Sequence, residues 1–458
     1  MKSSRNIMYD RKIITKLIEW KDSPYRKPLV LRGARQVGKT TLIDQFASFF
    51  DQYIYLNLEV DEDKVIFQNR SSIEEIVDAL FFMKDKKKND GSTLIFIDEI
   101  QELPEAIGTL RYFYEKFPDY HVVAAGSLLE AVFNSKVQFP VGRVDYLVLH
   151  PFSFEEFLLA CGEKQVLEQF YHIPVAPFAH ERLMKFFHTY TLIGGMPEAV
   201  KRYVEKQDLV SLKPVYETLL LSYLDDVEKY ARNHTQIQVI RHAIPACFRE
   251  AGSRIKFHGF GSSVYGSREM GEALRTLQKA RLINLVYPTV QTRLPFMPDF
   301  KKSPRLHVVD TGLFNYFAGI QKDVFNSGDL TDVFYGRVIE HVVGQELTAI
   351  NDDLLRNLLF WVREKEGASS ELDYLMVRDG KGYPVEVKSG KSGKLRSLHQ
   401  YVDSSGCKVA IRLYAGPLSV DKLRTITGTP FALLNLPYYL AGNLGKYLDH
   451  FAPLTQMP

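Results

Sequence analysis

Cysteine is scarce in this chain. Its 458 residues include three, Cys161, Cys247 and Cys407, set far apart. They form no metal-spacing or redox motif, and they suit buried positions in a reducing compartment. Long apolar runs are missing too. With no stretch of about 18 apolar residues, no membrane-spanning helix is expected. Met1 to Asp10 has no apolar signal core, so the expectation is a cytoplasmic chain with no membrane partner. A dominant charge is also absent: 58 Lys and Arg face 55 Asp and Glu, for a formal +3. The chain as a whole is therefore not built as a polyanion binder, and any basic surface must be local.

What is present is ordinary for a globular protein, 45% hydrophobic and 25% charged residues. The length exceeds what one core supports, so about two to four domains are expected.

The most informative stretch is Gly33 to Thr40, which fits the phosphate-loop pattern Gly-x-x-x-x-Gly-Lys-Ser/Thr. The apolar run Pro28 to Arg32 before it reads as a buried strand, and Thr41 to Phe50 after it has apolar residues at helical spacing. Glycines let the backbone curl so that successive N–H groups face phosphate oxygens beside a helix N-terminus. The expected nucleotide-binding residues are Gly33, Ala34, Arg35, Gln36, Val37, Gly38, Lys39, Thr40 and Thr41. Lys39 would reach the β- and γ-phosphates of ATP, and the Thr40 hydroxyl would ligate Mg²⁺.

Downstream, Thr93-Leu-Ile-Phe-Ile-Asp-Glu-Ile100 reads as a buried parallel strand with acids at its C-terminal end. Asp98 would hold Mg²⁺ and Glu99 would orient and deprotonate the attacking water. The strand from His121 to Ala125 ends at Gly126-Ser127. Ser127 either contacts the γ-phosphate or the lytic water, or caps a helix. Arg143, before the expected strand Val144 to Leu149, is either an arginine finger, in cis or toward a neighbouring subunit, or a surface residue. Ser153-Phe-Glu-Glu156 is a capping box opening a helix.

The order of phosphate loop, Leu-Ile-Phe-Ile-Asp-Glu-Ile-Gln, Ala-Gly-Ser, Gly-Arg-Val and His-Pro-Phe-Ser-Phe-Glu-Glu-Phe resembles the prokaryotic AAA-superfamily ATPases. One widespread bacterial and archaeal group is especially similar, from about Ile7 to Leu448. The resemblance implies a five-stranded parallel core with a catalytic glutamate beside the Walker B aspartate. Lys39, Thr40, Asp98 and Glu99 match that machinery, with Ser127 as sensor and Arg143 as finger. It also places the turn Gly194-Gly-Met-Pro197 in a helical lid.

From Gln236 to Pro288 the pattern is helix, glycine-rich turn, helix, strand, as in a winged helix. The second helix puts Met270, Leu274 and Leu277 on one face and leaves Arg268, Arg275 and Lys279 for another. It either enters a DNA groove or only packs against the ATPase. Farther on, Asp373 in Glu371 to Val377 and Glu386-Val-Lys388 match the Asp…Glu-x-Lys arrangement of the restriction-endonuclease-like fold. Residues i and i+2 of a strand share a face, so Glu386 and Lys388 point the same way. Asp373 and Glu386 would hold Mg²⁺ while Lys388 polarises water or the scissile phosphate. Glu-x-Lys also occurs at Glu19-Trp-Lys21 and Glu62-Asp-Lys64, so the triplet alone says little. Whether the domain cuts is left open.

The expected fold is α/β: a P-loop NTPase parallel-sheet core over 1–160, a helical lid over 161–232, a winged-helix-like module over 233–300 and a restriction-endonuclease-like domain over 301–458. The expected activity is Mg²⁺-dependent ATP hydrolysis, with double-stranded DNA and, in a homo-oligomer, further copies of the chain as the expected partners. The competing expectation is a nucleotide-gated signalling or interaction protein with an inert nuclease-like domain.

Overall fold

A computed structural model describes residues 10–68, 72–88, 90–126, 140, 142–231, 233–319, 335–351, 358–365, 368–388 and 395–452. The chain forms two compact units. The first takes residues 1–150, 225–237 and 275–282; the second takes 151–224, 238–274 and 283–458. The four-way division at 160, 232 and 300 does not coincide with the boundaries of this partition.

The first unit is built on five strands: β1 (Leu29–Arg32), β2 (Gln52–Asn57), β3 (Thr93–Asp98), β4 (His121–Ala125) and β5 (Asp145–Val148). All are parallel, in the order β2-β3-β4-β1-β5. Every residue of β3 and β4 is buried. That is why these strands read as continuous apolar runs, whereas the edge strand β2 alternates. The helix Ile73–Met83 starts where Ser72 accepts the Glu75 N–H at 3.2 Å, and it buries Ile73, Ile76, Val77, Leu80 and Phe81. These side chains share a core with Ile95 and Ile97 of β3 and with Leu110 and Phe113 of the helix Pro104–Lys116. Because all strands run the same way, the loops after β1 and β3 open on one sheet edge, where ligands bind in such sheets.

The second unit contains the capping box at Ser153: its side chain accepts from Glu156 N–H, and the Glu156 carboxylate accepts from Ser153 N–H at 3.0 Å. The Gly194-Gly195 turn ends the helix His180–Ile193. A Cβ on Gly195 would lie 2.1 Å from the Phe152 carbonyl oxygen, so only glycine fits. The same turn donates the Gly195 N–H to Asp310 at 2.5 Å, and Asp310 in turn caps the helix Thr311–Phe317 through Leu313 N–H at 3.2 Å. The Gly-Gly-Met-Pro and Val-Val-Asp-Thr-Gly segments therefore lock together as structure.

β6 (Ile283–Val286) leads into β7 (Pro288–Thr289), and β6 pairs antiparallel with β8 (Arg305–Val308). This ladder joins residues on both sides of position 300. The last sheet is built from β7, β9 (Leu359–Lys365), β10 (Ala368–Arg378), β11 (Lys381–Val387), β12 (Val409–Tyr414), β13 (Ser419–Arg424) and β14 (Pro430–Pro437). Their order is β13-β14-β12-β11-β10-β9-β7. β9, β10 and β11 run antiparallel in succession. The helix Arg396–Ser405 then crosses to β12, parallel to β11, and buries Leu398, Tyr401 and Val402 against Trp361 and Leu372. Among the described residues no helix is long and apolar enough to cross a membrane.

Candidate functional site

The loop after β1 curls as a phosphate loop must. Gln36 and Gly38 take left-handed backbone conformations, φ 65° and 92°, just before the helix Lys39–Phe46. A Cβ on Gly33 would sit 2.6 Å from the Leu149 carbonyl oxygen, so the loop closes against the residue after β5. Ala34 and Val37 are buried. Arg11, which sequence reasoning did not single out, props the loop: it donates to the Val37 carbonyl at 3.1 Å and the His150 carbonyl at 2.7 Å.

Lys39 is 7% exposed and its ammonium donates to the carbonyls of Gly33 and Ala34, each at 3.1 Å. Burial pulls its pKa below the usual lysine value; Glu99 and Asp98 oppose that shift and the Arg35 guanidinium adds to it. The Thr40 hydroxyl donates to Asp98 at 2.7 Å. Burial raises the Asp98 carboxyl while this hydrogen bond holds it down. Glu99 follows with φ 49°, and its carboxylate accepts from Gln101 at 2.5 Å. Gln101 is the second residue missed. It lay in the quoted motif, and its spacing from Glu99 was the available signal.

These residues fit a nucleotide with Mg²⁺. A buried ammonium rests on neutral carbonyls, and a hydroxyl and a carboxylate, both hard oxygen ligands, already touch. Thr41 is exposed on the first helical turn. Arg143 is partly exposed and pairs with Glu115 at 3.2 Å. Ser127 lies outside the described residues.

A second cluster lies wholly in the second unit. Tyr374 of β10 pairs with Val385 of β11, and the next residues along that hairpin are Asp373 and Glu386. The Asp373 carboxylate accepts the Val387 N–H at 2.7 Å, and Lys388 forms an ion pair with Glu386. The structure thus brings the three sequence-derived residues together. It adds three that were not assigned: Arg305 of β8 forms ion pairs with Glu340 of the helix Tyr335–Ala349 and with Glu371, and it lies 3.8 Å from the Asp373 carboxylate. The Arg305 side chain is 5% exposed and packs over the Phe360 ring at 4.7 Å. Burial pushes Glu340 up to about 8 against the pull of Arg305. It also pushes Glu386 up to about 8, assisted by Asp373 and opposed by Lys388. The available signal was a charge inside an apolar pattern, Arg305 at the head of a buried strand and Glu340 on a buried helix face. Among the described residues no three Asp, Glu, His or Cys side chains are grouped so as to hold a metal ion.

Three family models match the chain. An AAA domain covers residues 25–158, a domain of unknown function (DUF8612) covers 184–324 and a domain of unknown function (DUF4143) covers 335–433. The chain therefore carries an AAA-type P-loop ATPase domain, which implies a nucleotide-binding site. No curated protein matches. Among solved structures, the Walker-type ATPase Paby2304 of Pyrococcus abyssi is similar at 14% identity and TM-score 0.44, over 68% of this chain and 97% of that one. The Orc1 protein of Aeropyrum pernix in complex with DNA is similar at 13% identity and TM-score 0.29, over 69% and 94%.

Proposed function

We propose that the chain is a Mg²⁺-dependent ATPase whose hydrolysis is coupled to work on or with double-stranded DNA. The observation that carries the first half is the phosphate loop itself, with Lys39 buried on carbonyls and Thr40 bonded to Asp98. Lys39 exchanges those carbonyls for phosphate oxygens. Thr40 and Asp98 would hold Mg²⁺, which would supply positive charge to the phosphate oxygens. Glu99, fixed by Gln101, orients the lytic water and takes its proton. Arg143 serves a neighbouring copy in a homo-oligomer, which solution mass with and without ATP tests. ATP turnover by wild type, Lys39→Ala and Glu99→Gln tests the assignment, and turnover unchanged in Glu99→Gln would sink it.

The DNA half is supported by the helix Ser267–Lys279 and the β6–β8 ladder that follows it, in the order a winged helix needs. Met270, Leu274 and Leu277 are buried, while Arg268, Arg275 and Lys279 are exposed at one-face spacing.

A second reading is a nucleotide-gated interaction protein whose restriction-endonuclease-like domain is inert. Arg305 favours it. A guanidinium already pairs with Glu340 and Glu371 and sits beside Asp373, where a cleaving site would need its cation. Mg²⁺- or Mn²⁺-dependent cleavage of plasmid DNA by wild type, lost in Lys388→Ala, would exclude this reading.

A further inference from the structure

Residues 225–237 belong to the ATPase unit although the chain on both sides of them belongs to the second unit. Two ion pairs explain how they are held. Asp226, 5% exposed, pairs with Arg35 of the phosphate loop. Lys229, one helical turn on, pairs with Glu102 at 3.0 Å and lies 3.7 Å from Glu59. Glu102 ends the short turn Ile100–Glu102 that begins directly after Glu99, and its N–H donates to the Glu99 carbonyl at 2.9 Å. Glu59 follows β2. One segment therefore grips both loops that build the nucleotide site.

Arg35 is the member of this set that a nucleotide can recruit. It lies inside the phosphate loop, about a third of its side chain is exposed, and its charge is felt by Lys39. A triphosphate brings several negative oxygens to the same loop, and a guanidinium matches phosphate geometry at least as well as a carboxylate.

We propose that Arg35 is a phosphate-contacting residue whose resting partner is Asp226, so that nucleotide binding exchanges the carboxylate for phosphate oxygens and unties residues 225–237 from the phosphate loop. This rests on reading Gly33–Thr40 as the nucleotide site. Asp226 competes with the ligand for one cation, and the segment reports the competition to the chain that continues from it.

The test uses the full chain and a fluorescent ATP analogue with Mg²⁺. Arg35→Ala should weaken triphosphate binding about tenfold, the scale of one charge-assisted hydrogen bond. Asp226→Asn, which removes the competing charge and keeps the shape, should tighten it about fivefold. The double variant should bind as Arg35→Ala does, because Arg35 is the residue through which Asp226 meets the phosphate loop. In wild type, amide exchange across 225–237 should rise on adding the analogue. Weaker binding in Asp226→Asn, additive effects in the double variant, or unchanged exchange across 225–237 would each overturn the proposal. Wild type that binds no triphosphate would overturn the nucleotide-site reading as well, whereas loss of binding in Lys39→Ala alone, with Arg35→Ala and Asp226→Asn like wild type, would overturn only this inference.

Discussion

At the scale of single residues, three positions have outcomes set by contact geometry. Gly33 faces the Leu149 carbonyl so closely that a methyl group must displace backbone. Gly33→Ala should cost about 1–3 kcal/mol by overpacking and weaken nucleotide binding with it, readable as a lowered denaturation midpoint and a raised Kd. Arg305→Met leaves Glu340 and Asp373 buried without their cation, so it should destabilise by about 3–5 kcal/mol. Adding Glu340→Gln should recover part of that loss. Asp310 supplies a pH dependence. Burial raises its carboxyl to about 6, against the backbone N–H groups that lower it. The folded state therefore binds a proton more tightly than the unfolded chain does, and the stabilisation present at low pH is lost as pH rises through about 6. Urea titrations should show wild type losing stability relative to Asp310→Asn between pH 5 and pH 7; a gain would contradict the assignment.

At the scale of elements, the sequence was most readable where hydrophobic patterning is strongest. The buried runs of β1, β3 and β4 stood out because both faces are covered, and the Ser153 capping box because its two polar partners are local. β9 and β13 were not foreseen. β13 carries Asp421, Lys422 and Arg424, largely exposed beside β14, so it has no apolar alternation to read. β9 carries Arg363, Glu364 and Lys365 toward its end, which breaks its pattern as well. The Asp373, Glu386 and Lys388 set was readable from strand periodicity, but Arg305 was not, because its partners come from a helix and a hairpin far along the chain. The same limit hid Arg11 and Asp226, both of which act on the phosphate loop across long separations. The helix Ser267–Lys279 gives a test at this scale. Replacing Arg268, Arg275 and Lys279 together with Gln should weaken binding of duplex DNA and make the slope of log affinity against log salt shallower by about 3. An unchanged slope would leave the helix as packing surface only.

At the scale of the whole molecule, two units carry two charge clusters of opposite character. In the first, Lys39 rests on neutral carbonyls and Thr40 on Asp98. In the second, Arg305 and Lys388 lie among four acids, Glu340, Glu371, Asp373 and Glu386. The proposed function places chemical turnover in the first unit. Mg²⁺-dependent release of phosphate from ATP by the full chain tests this most directly, measured side by side with Glu99→Gln and with ATP binding followed in both. The predicted result is turnover in wild type, a fall of about a hundredfold or more in Glu99→Gln, and ATP binding retained in the variant. Equal turnover in the two proteins, or none in a wild type that binds ATP, would contradict it.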